Sequence, residues 1–291
     1  MVKNRLKINA ILIATVLLFV VATPYIASAQ KPAVAAINLG DQEKSIIKNI
    51  NNTEYNEYNV TKAKELLEQQ KIKNSKEIEA SIDENYKRMK AQGSIPVITS
   101  PTCISGQSTV SGVSAASSVS TANDHDWGDS TWGVAPFFIE HDVSYSEKKI
   151  LNKALTGPGG YGNCGAWGWV GYTFLYGGTG KYTNIAMDGY MYGLTSAVAG
   201  GQSDTEIKLV IYDHYTGTRS WTTIYHENAD VLGWKYADDP FNNGFGYNLQ
   251  QGHEYTIYLE ISGSAAVTGA GEAGSNFFDG GASAKYYSLS F

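Results

Sequence analysis

Charge is scarce in this chain, and cysteine and proline are scarcer. Of 291 residues only 17% are Asp, Glu, Lys or Arg, below the usual quarter. There are seven Pro and two Cys. No run of Lys or Arg occurs, and the formal charge is −6. That excludes the electrostatic footprint of a nucleic-acid partner or an anionic membrane surface. No Ser nucleophile elbow and no phosphate loop are present. His141-Asp142 and Asp213-His214 lack the ligand spacing of a zinc site.

The first 29 residues do carry a long apolar stretch. Lys3, Arg5 and Lys7 precede it, Ile8 to Val21 form it, and Pro24 breaks it. Ala27-Ser28-Ala29 then supplies a small-x-small cleavage site, the order of a secretory signal peptide. An uncleaved signal anchor is the alternative. No Cys follows the stretch, which argues against a lipoprotein anchor. Either way the expected localisation is secreted or extracellular, at the cell surface if the segment anchors the chain. The mature chain would carry about nine net negative charges once those three cations are gone. Cys103 and Cys164, an even count in an oxidising compartment, are expected to form one disulfide.

What is abundant is Gly, at 31, and Tyr, at 20. Two regions share the mature chain. Residues 30–93 are polar, and from Asp41 onward almost free of Gly and Pro. Ala63, Leu66 and Leu67, then Ile78, Ile82, Tyr86 and Met89, recur at helical spacing in a narrow stripe. Asn74 with Glu77 is read as the capping start of a last helix. The sequons at Asn51 and Asn59 are expected as glycosylation sites in a loop between helical pieces. The stripe is too thin for its own core, so this is a stalk, a docked hairpin or a propeptide.

Residues 94–102 read as a linker, and 103–291 change to a period of two. Ile207, Leu209 and Ile211, then Tyr255, Ile257, Leu259 and Ile261, then Tyr287, Leu289 and Phe291 each alternate with a second set. Turn signals punctuate them at Gly177-Gly178, Gly200-Gly201, Asp213–Gly217, Asp238-Asp239-Pro240 and Gly280-Gly281. The expected fold is mainly β: an antiparallel β-sandwich, jelly-roll-like, of eight to ten strands, preceded by the signal peptide and a short α-helical region.

Chemistry is thinly marked. Gly162-Asn163-Cys164-Gly165-Ala166-Trp167 resembles the Cys-Gly segments of papain-like peptidases, but Gly168 to Phe174 reads as a strand where such enzymes need a helix. Asp124, Asp126 and Asp129 suggest a calcium loop, although the Glu of an EF-hand is missing. Calcium is the one cofactor considered. Glu206, Glu227, Glu254 and Glu260 lie on or beside strands, where a glycosidase would place its carboxylates, and where a wet sheet face also carries them.

The aromatics say more. Trp221 sits on a polar strand; Trp234, Tyr236, Phe241 and Tyr247 lie in a Gly/Asn/Asp-rich stretch expected to be a loop. Flat rings beside amides and carboxylates suit sugars, and these five are the expected ligand-binding residues. The leading expectation is a non-catalytic adhesion or binding protein for a glycan or surface polymer. The alternatives are an exported hydrolase with a helical propeptide, and a self-associating or membrane-acting β protein built on Ser111–Thr121 and Ser262–Ser275.

Overall fold

The computed structural model describes residues 57–99, 103–104 and 122–291. The signal segment, the Asn51 sequon and Ser111–Thr121 lie outside the described residues.

Helix α1 spans Glu57–Gln92, 36 residues without a Gly or Pro, hence about 54 Å long. It is one helix, not several pieces. Asn59 falls in its first turn, where a loop was expected, and Asn74 is not a cap but lies in mid-helix, fully buried. The stop is a Schellman closure: Gly93 at φ 63° lets its N–H reach the Lys90 carbonyl while Ser94 N–H reaches the Met89 carbonyl. The expected 94–102 linker then contributes strand β1, Val97–Ile98, paired in parallel with Leu175–Tyr176.

Ten further strands follow: β2 Cys103–Ile104, β3 Asp124–Gly133, β4 Phe137–Ser144, β5 Lys149–Thr156, β6 Gly160–Tyr176, β7 Lys181–Asp213, β8 Thr218–Leu249, β9 Glu254–Gly269, β10 Glu272–Phe277 and β11 Ser283–Ser290. All pair antiparallel except β1 with β6, giving one large mixed sheet of 11 strands. Two strands are far longer than the usual five or six residues: β7 has 33 and β8 has 32. They form one hairpin that bends in its middle. Ala199 (φ 52°) and Gly200 (φ 88°) enter the left-handed region there, and the register jumps from Val198/Leu232 to Gln202/Asp230. Gly201 must be glycine because a Cβ would lie 2.1 Å from the Glu272 carbonyl oxygen.

The bend folds the sheet onto itself. The first half of β7 joins β10 and β11, which continue to β5 and β4. Its second half joins β9, then β6 and β3. The inner faces meet in one core: Ile185, Met187, Met191, Phe241 and Phe277 from the front half, and Val170, Phe174, Ile207, Leu209 and Leu259 from the back half. Thr195 and Thr205, ten residues apart on one strand, hydrogen-bond across that core at 2.7 Å.

The even cysteine count misleads. Cys164 is a free, buried thiol on β6, 3.4 Å from the Leu155 carbonyl oxygen; burial pushes its pKa far up. Cys103 pairs beside Ser290 at the end of β11, and the next residue, Phe291, stacks on Phe174 at 4.5 Å. Phe174 is ten residues along β6 from Cys164, roughly 33 Å of extended chain. A disulfide needs Cα atoms within about 7 Å. Cys164 also sits in mid-strand, without the helix a catalytic thiol would use.

No helix among the described residues is long and apolar enough to cross a membrane.

Candidate functional site

The folded sheet has two outer faces, and their fates differ. The back face is covered by α1. Trp167, Trp169, Val210, Tyr212 and Tyr258 point outward there and bury against Ile78 and Ile82. Between its apolar ends the helix presents buried amides. Asn74 donates to Ser262 Oγ (3.0 Å), the Gly263 carbonyl (3.2 Å) and Ser264 Oγ (3.1 Å), while Gln70 bonds Ser130 Oγ at 2.7 Å. Gly165 makes this approach available, since a Cβ would sit 2.5 Å from both amides.

The front face, formed outward by β11, β7 and β8, carries no covering element among the described residues. Its register is legible strand by strand. On β7 the outward residues are Tyr182, Asn184, Ala186, Asp188, Tyr190, Tyr192, Leu194 and Ser196; opposite them on β8 stand Asn248, Gly246, Gly244, Asn242, Pro240, Asp238, Tyr236 and Trp234. Cross-strand partners share a face. Tyr182 and Tyr236 are 73% and 68% exposed, and Tyr192, Trp234 and Tyr287 about 40% each. Tyr182 leans across Gly246, where any Cβ would collide with its ring. Tyr190 donates to Asp238; that bond to the carboxylate, then burial, pushes the phenol up to about 12. Lys285 lies 5.7 Å from the Tyr287 ring centre. The strip from Tyr190 to Trp234 runs roughly 20 Å along the strands. Rings stand along it beside Asp238 and Lys285, and Asp188 and Asn242 form the next outward pair past Tyr190.

Of the expected ligand-binding residues, Trp234 and Tyr236 belong to this face. The stretch holding them is not a loop: residues 234–247 are strand. Phe241 is buried and Tyr247 half-buried, both turned into the core by the strand's alternation. Trp221 lies beyond the bend, paired with Val210 on the back face; the Lys208 and Arg219 cations stand 5.6 and 5.7 Å from its ring centre. It shares no surface with Trp234. Sequence reasoning missed Tyr182, Tyr190, Tyr192 and Tyr287. The signal was available in the alternation of Tyr182, Asn184, Asp188, Tyr190 and Tyr192 with Ile185, Met187 and Met191.

Asp124, Asp126 and Asp129 lie on strand β3, not in a loop, and Asp129 has the opposite parity to the other two. Asp129 pairs with His141 Nε2 at 2.6 Å. Asp124 is buried. Among the described residues no three His, Cys, Asp or Glu side chains gather as a metal site. The four strand glutamates do not converge either. Glu254 takes Lys90 and Tyr86, Glu260 is buried against Arg219, Glu206 pairs with Lys208, and Glu227 faces Lys235 at 4.0 Å.

Asp124 does anchor a hydrogen-bonded row across three strands, β3, β6 and β9, that ends at His214 in the turn after β7. Thr173 Oγ1 reaches it at 3.0 Å, Thr256 Oγ1 reaches Thr173 at 2.7 Å, and His214 Nε2 reaches Thr256 at 2.8 Å. With Asp124 ionised, each hydroxyl must donate toward it, so the imidazole proton is on Nε2. Burial raises Asp124 to about 6 and lowers His214 to about 4. The His214 ring stacks on Tyr86 of α1 at 3.8 Å.

No protein-family model matches the chain, and no curated protein sequence matches it. Among solved structures it is similar to the CBM22-1 xylan-binding domain from Paenibacillus barcinonensis Xyn10C, at 12% identity over 55% of this chain and 86% of that one, with a TM-score of 0.20. The C-terminal family 22 carbohydrate binding module of Clostridium thermocellum Xyn10B gives 11% identity, 55% and 86% coverage, and a TM-score of 0.19. The enzymatically active domain of bacteriophage CBA120 tailspike protein 4 gives 12% identity over 57% of this chain and 19% of that one, with a TM-score of 0.19. Likenesses this distant, to binding domains and an enzymatic domain alike, carry no functional argument.

Proposed function

We propose that this chain is a non-catalytic binding protein that holds a glycan or similar hydroxyl-rich surface polymer on the outer face of β11, β7 and β8. The observation that carries the reading is the exposed strip of Tyr192, Tyr236, Trp234 and Tyr287 with Asp188, Asp238 and Asn242 beside the rings. A contiguous exposed apolar strip on a rigid face needs a partner. Sugars match it because their C–H faces stack on flat rings while their hydroxyls bond carboxylates and amides. Carboxylates already held in pairs fit attachment better than hydrolysis. In this reading the folded sheet is a jelly-roll-type sandwich, exported by residues 1–29 and working outside the cell.

The test is retention on insoluble polysaccharides such as xylan, cellulose and chitin. Wild type is expected to be retained on at least one. A Tyr192→Ala, Tyr236→Ala, Trp234→Ala triple variant is expected to wash through with its melting temperature little changed. Unchanged retention would remove the proposal.

Self-association is the second reading, favoured by one feature: β8 pairs only with β7 among the described strands, leaving a long free edge. Pro240, Asp238 and Asp239 interrupt that edge. A concentration-independent monomer in sedimentation would dismiss it.

A further inference from the structure

The C-terminal end of α1 leaves part of the back face open. A groove of about 360 Å³ lies there, within the size range of small-ligand sites. Arg88 and Gln92 of α1 line one side, with Ser94 just past the helix stop; Asn123, Asp124 and His125 form the floor and Tyr145 the rim. We propose that this groove is a second saccharide site, selective for a sugar unit that bears a carboxylate; it rests on the glycan reading above.

Three observations converge. The first is an aromatic wall. His125 lies 5.1 Å from Tyr145 and 5.9 Å from Trp127, and Trp127 lies 6.2 Å from His141, all as ring-centre distances. His125 and Trp127 lie on the side of β3 opposite to Asp124, and Tyr145 and Trp127 are both exposed, so the ring wall faces Arg88 across the edge of β3 that no described strand pairs. The second is an uncommitted cation. Arg88 is exposed and makes no ion pair or hydrogen bond with any described residue, although most other basic groups of α1 are paired. It stands close enough to Asp124 and His125 to bias the ionisation of both. The third is how the remaining polar groups are used. Both Asp124 oxygens are occupied from within, by the Thr173 hydroxyl and the His125 backbone N–H. Asn123 is spent on the Thr173 backbone. Gln92 and the His125 ring nitrogens have no hydrogen-bond partner among the described residues. Of the open groups only the Arg88 guanidinium is purely a donor, and its fork matches a carboxylate; Gln92 and the His125 ring can each donate and accept. A ring wall in the same groove as that fork, with an amide and an imidazole that can bond hydroxyls, fits an acidic sugar better than a free inorganic anion, which would leave the rings unused.

The test compares two probes with the same sugar backbone, one charged and one neutral: a short oligogalacturonide and its fully methyl-esterified form, titrated calorimetrically into the full chain. The acid is expected to bind at least roughly 10-fold more tightly than the ester, as one charge-assisted pair provides. Arg88→Gln should erase that preference, Tyr145→Ala should weaken binding of both forms, and Lys87→Gln on the same helix should change neither. No binding by wild type, equal binding of acid and ester, or a preference that survives Arg88→Gln would each overturn the proposal. The front-face reading is judged separately, by polysaccharide retention in the triple variant, so either site can fail without the other.

Discussion

The two outer faces of the folded sheet are made of similar residues and put to different use. Both present aromatic rings among hydroxyls, amides and carboxylates. On the back, Trp167, Trp169 and Tyr258 are buried under α1, and the indole N–H groups are spent on it: Trp167 bonds Glu77 at 3.1 Å and Trp169 bonds Ser81 at 2.8 Å. On the front, Tyr192, Tyr236 and Trp234 stay in water. An aromatic sheet face is thus not functional by composition. What separates the two is whether the chain itself covers the rings and satisfies their polar edges.

That difference predicts unequal costs of substitution. The largest should come from the covered face. Ile82 is fully buried against the Trp169 cluster, and Ile82→Ala should cost about 2–5 kcal/mol in denaturant unfolding. A loss below about 1 kcal/mol would mean that α1 is loosely held.

Next is a pH effect that the wild type conceals. His214 has a folded pKa of about 4 against an ordinary 6.5. The stability held by its neutral ring is complete above pH 6.5 and is lost as pH falls through 4. Asp124 runs the other way, with a folded pKa of about 6 against 3.8. Its contribution is complete below pH 3.8 and is lost as pH rises through 6. Each is worth roughly 3 kcal/mol with opposite sign in the same window, so between them they nearly cancel. Asp124→Asn should uncover the His214 effect, making the variant lose roughly 3 kcal/mol between pH 6.5 and 4 relative to wild type. A variant whose pH profile ran parallel to that of wild type would break this account of the buried row.

Asn74→Ala should cost about 1–3 kcal/mol, because it strands the groups that Asn74 now satisfies on β9. Tyr192→Ala and Tyr236→Ala on the open face should change stability by no more than about 0.5 kcal/mol. The smallest effect concerns Cys164. In a Cys103→Ser background the remaining thiol should resist labelling in the native protein and react fully once unfolded.

The strands of the back layer were legible because Ile207–Ile211 and Tyr255–Ile261 alternate cleanly over a one-sided core. The long hairpin was not. Gly200-Gly201 and Asp238-Asp239-Pro240 are residues that usually mark turns, yet one sits at a bend and the other on an edge where Pro costs no internal ladder bond. The helix was visible in pieces, because Gln70 and Asn74 interrupt its apolar stripe. They are buried all the same, their partners being serines nearly 200 positions away or on another strand, which no local pattern records. Trp234 and Tyr236 were picked out by their polar company. Phe241 and Tyr247 had the same company and the opposite parity, and once the segment is strand, parity decides which side faces water.

The most direct test is oxidative side-chain footprinting with a bound neutral soluble polysaccharide. Tyr182, Tyr192, Trp234, Tyr236 and Tyr287 are expected to be protected, with Trp221 on the opposite face oxidised at an unchanged rate. Protection of Trp221 with the front-face rings left open would contradict the front-face reading.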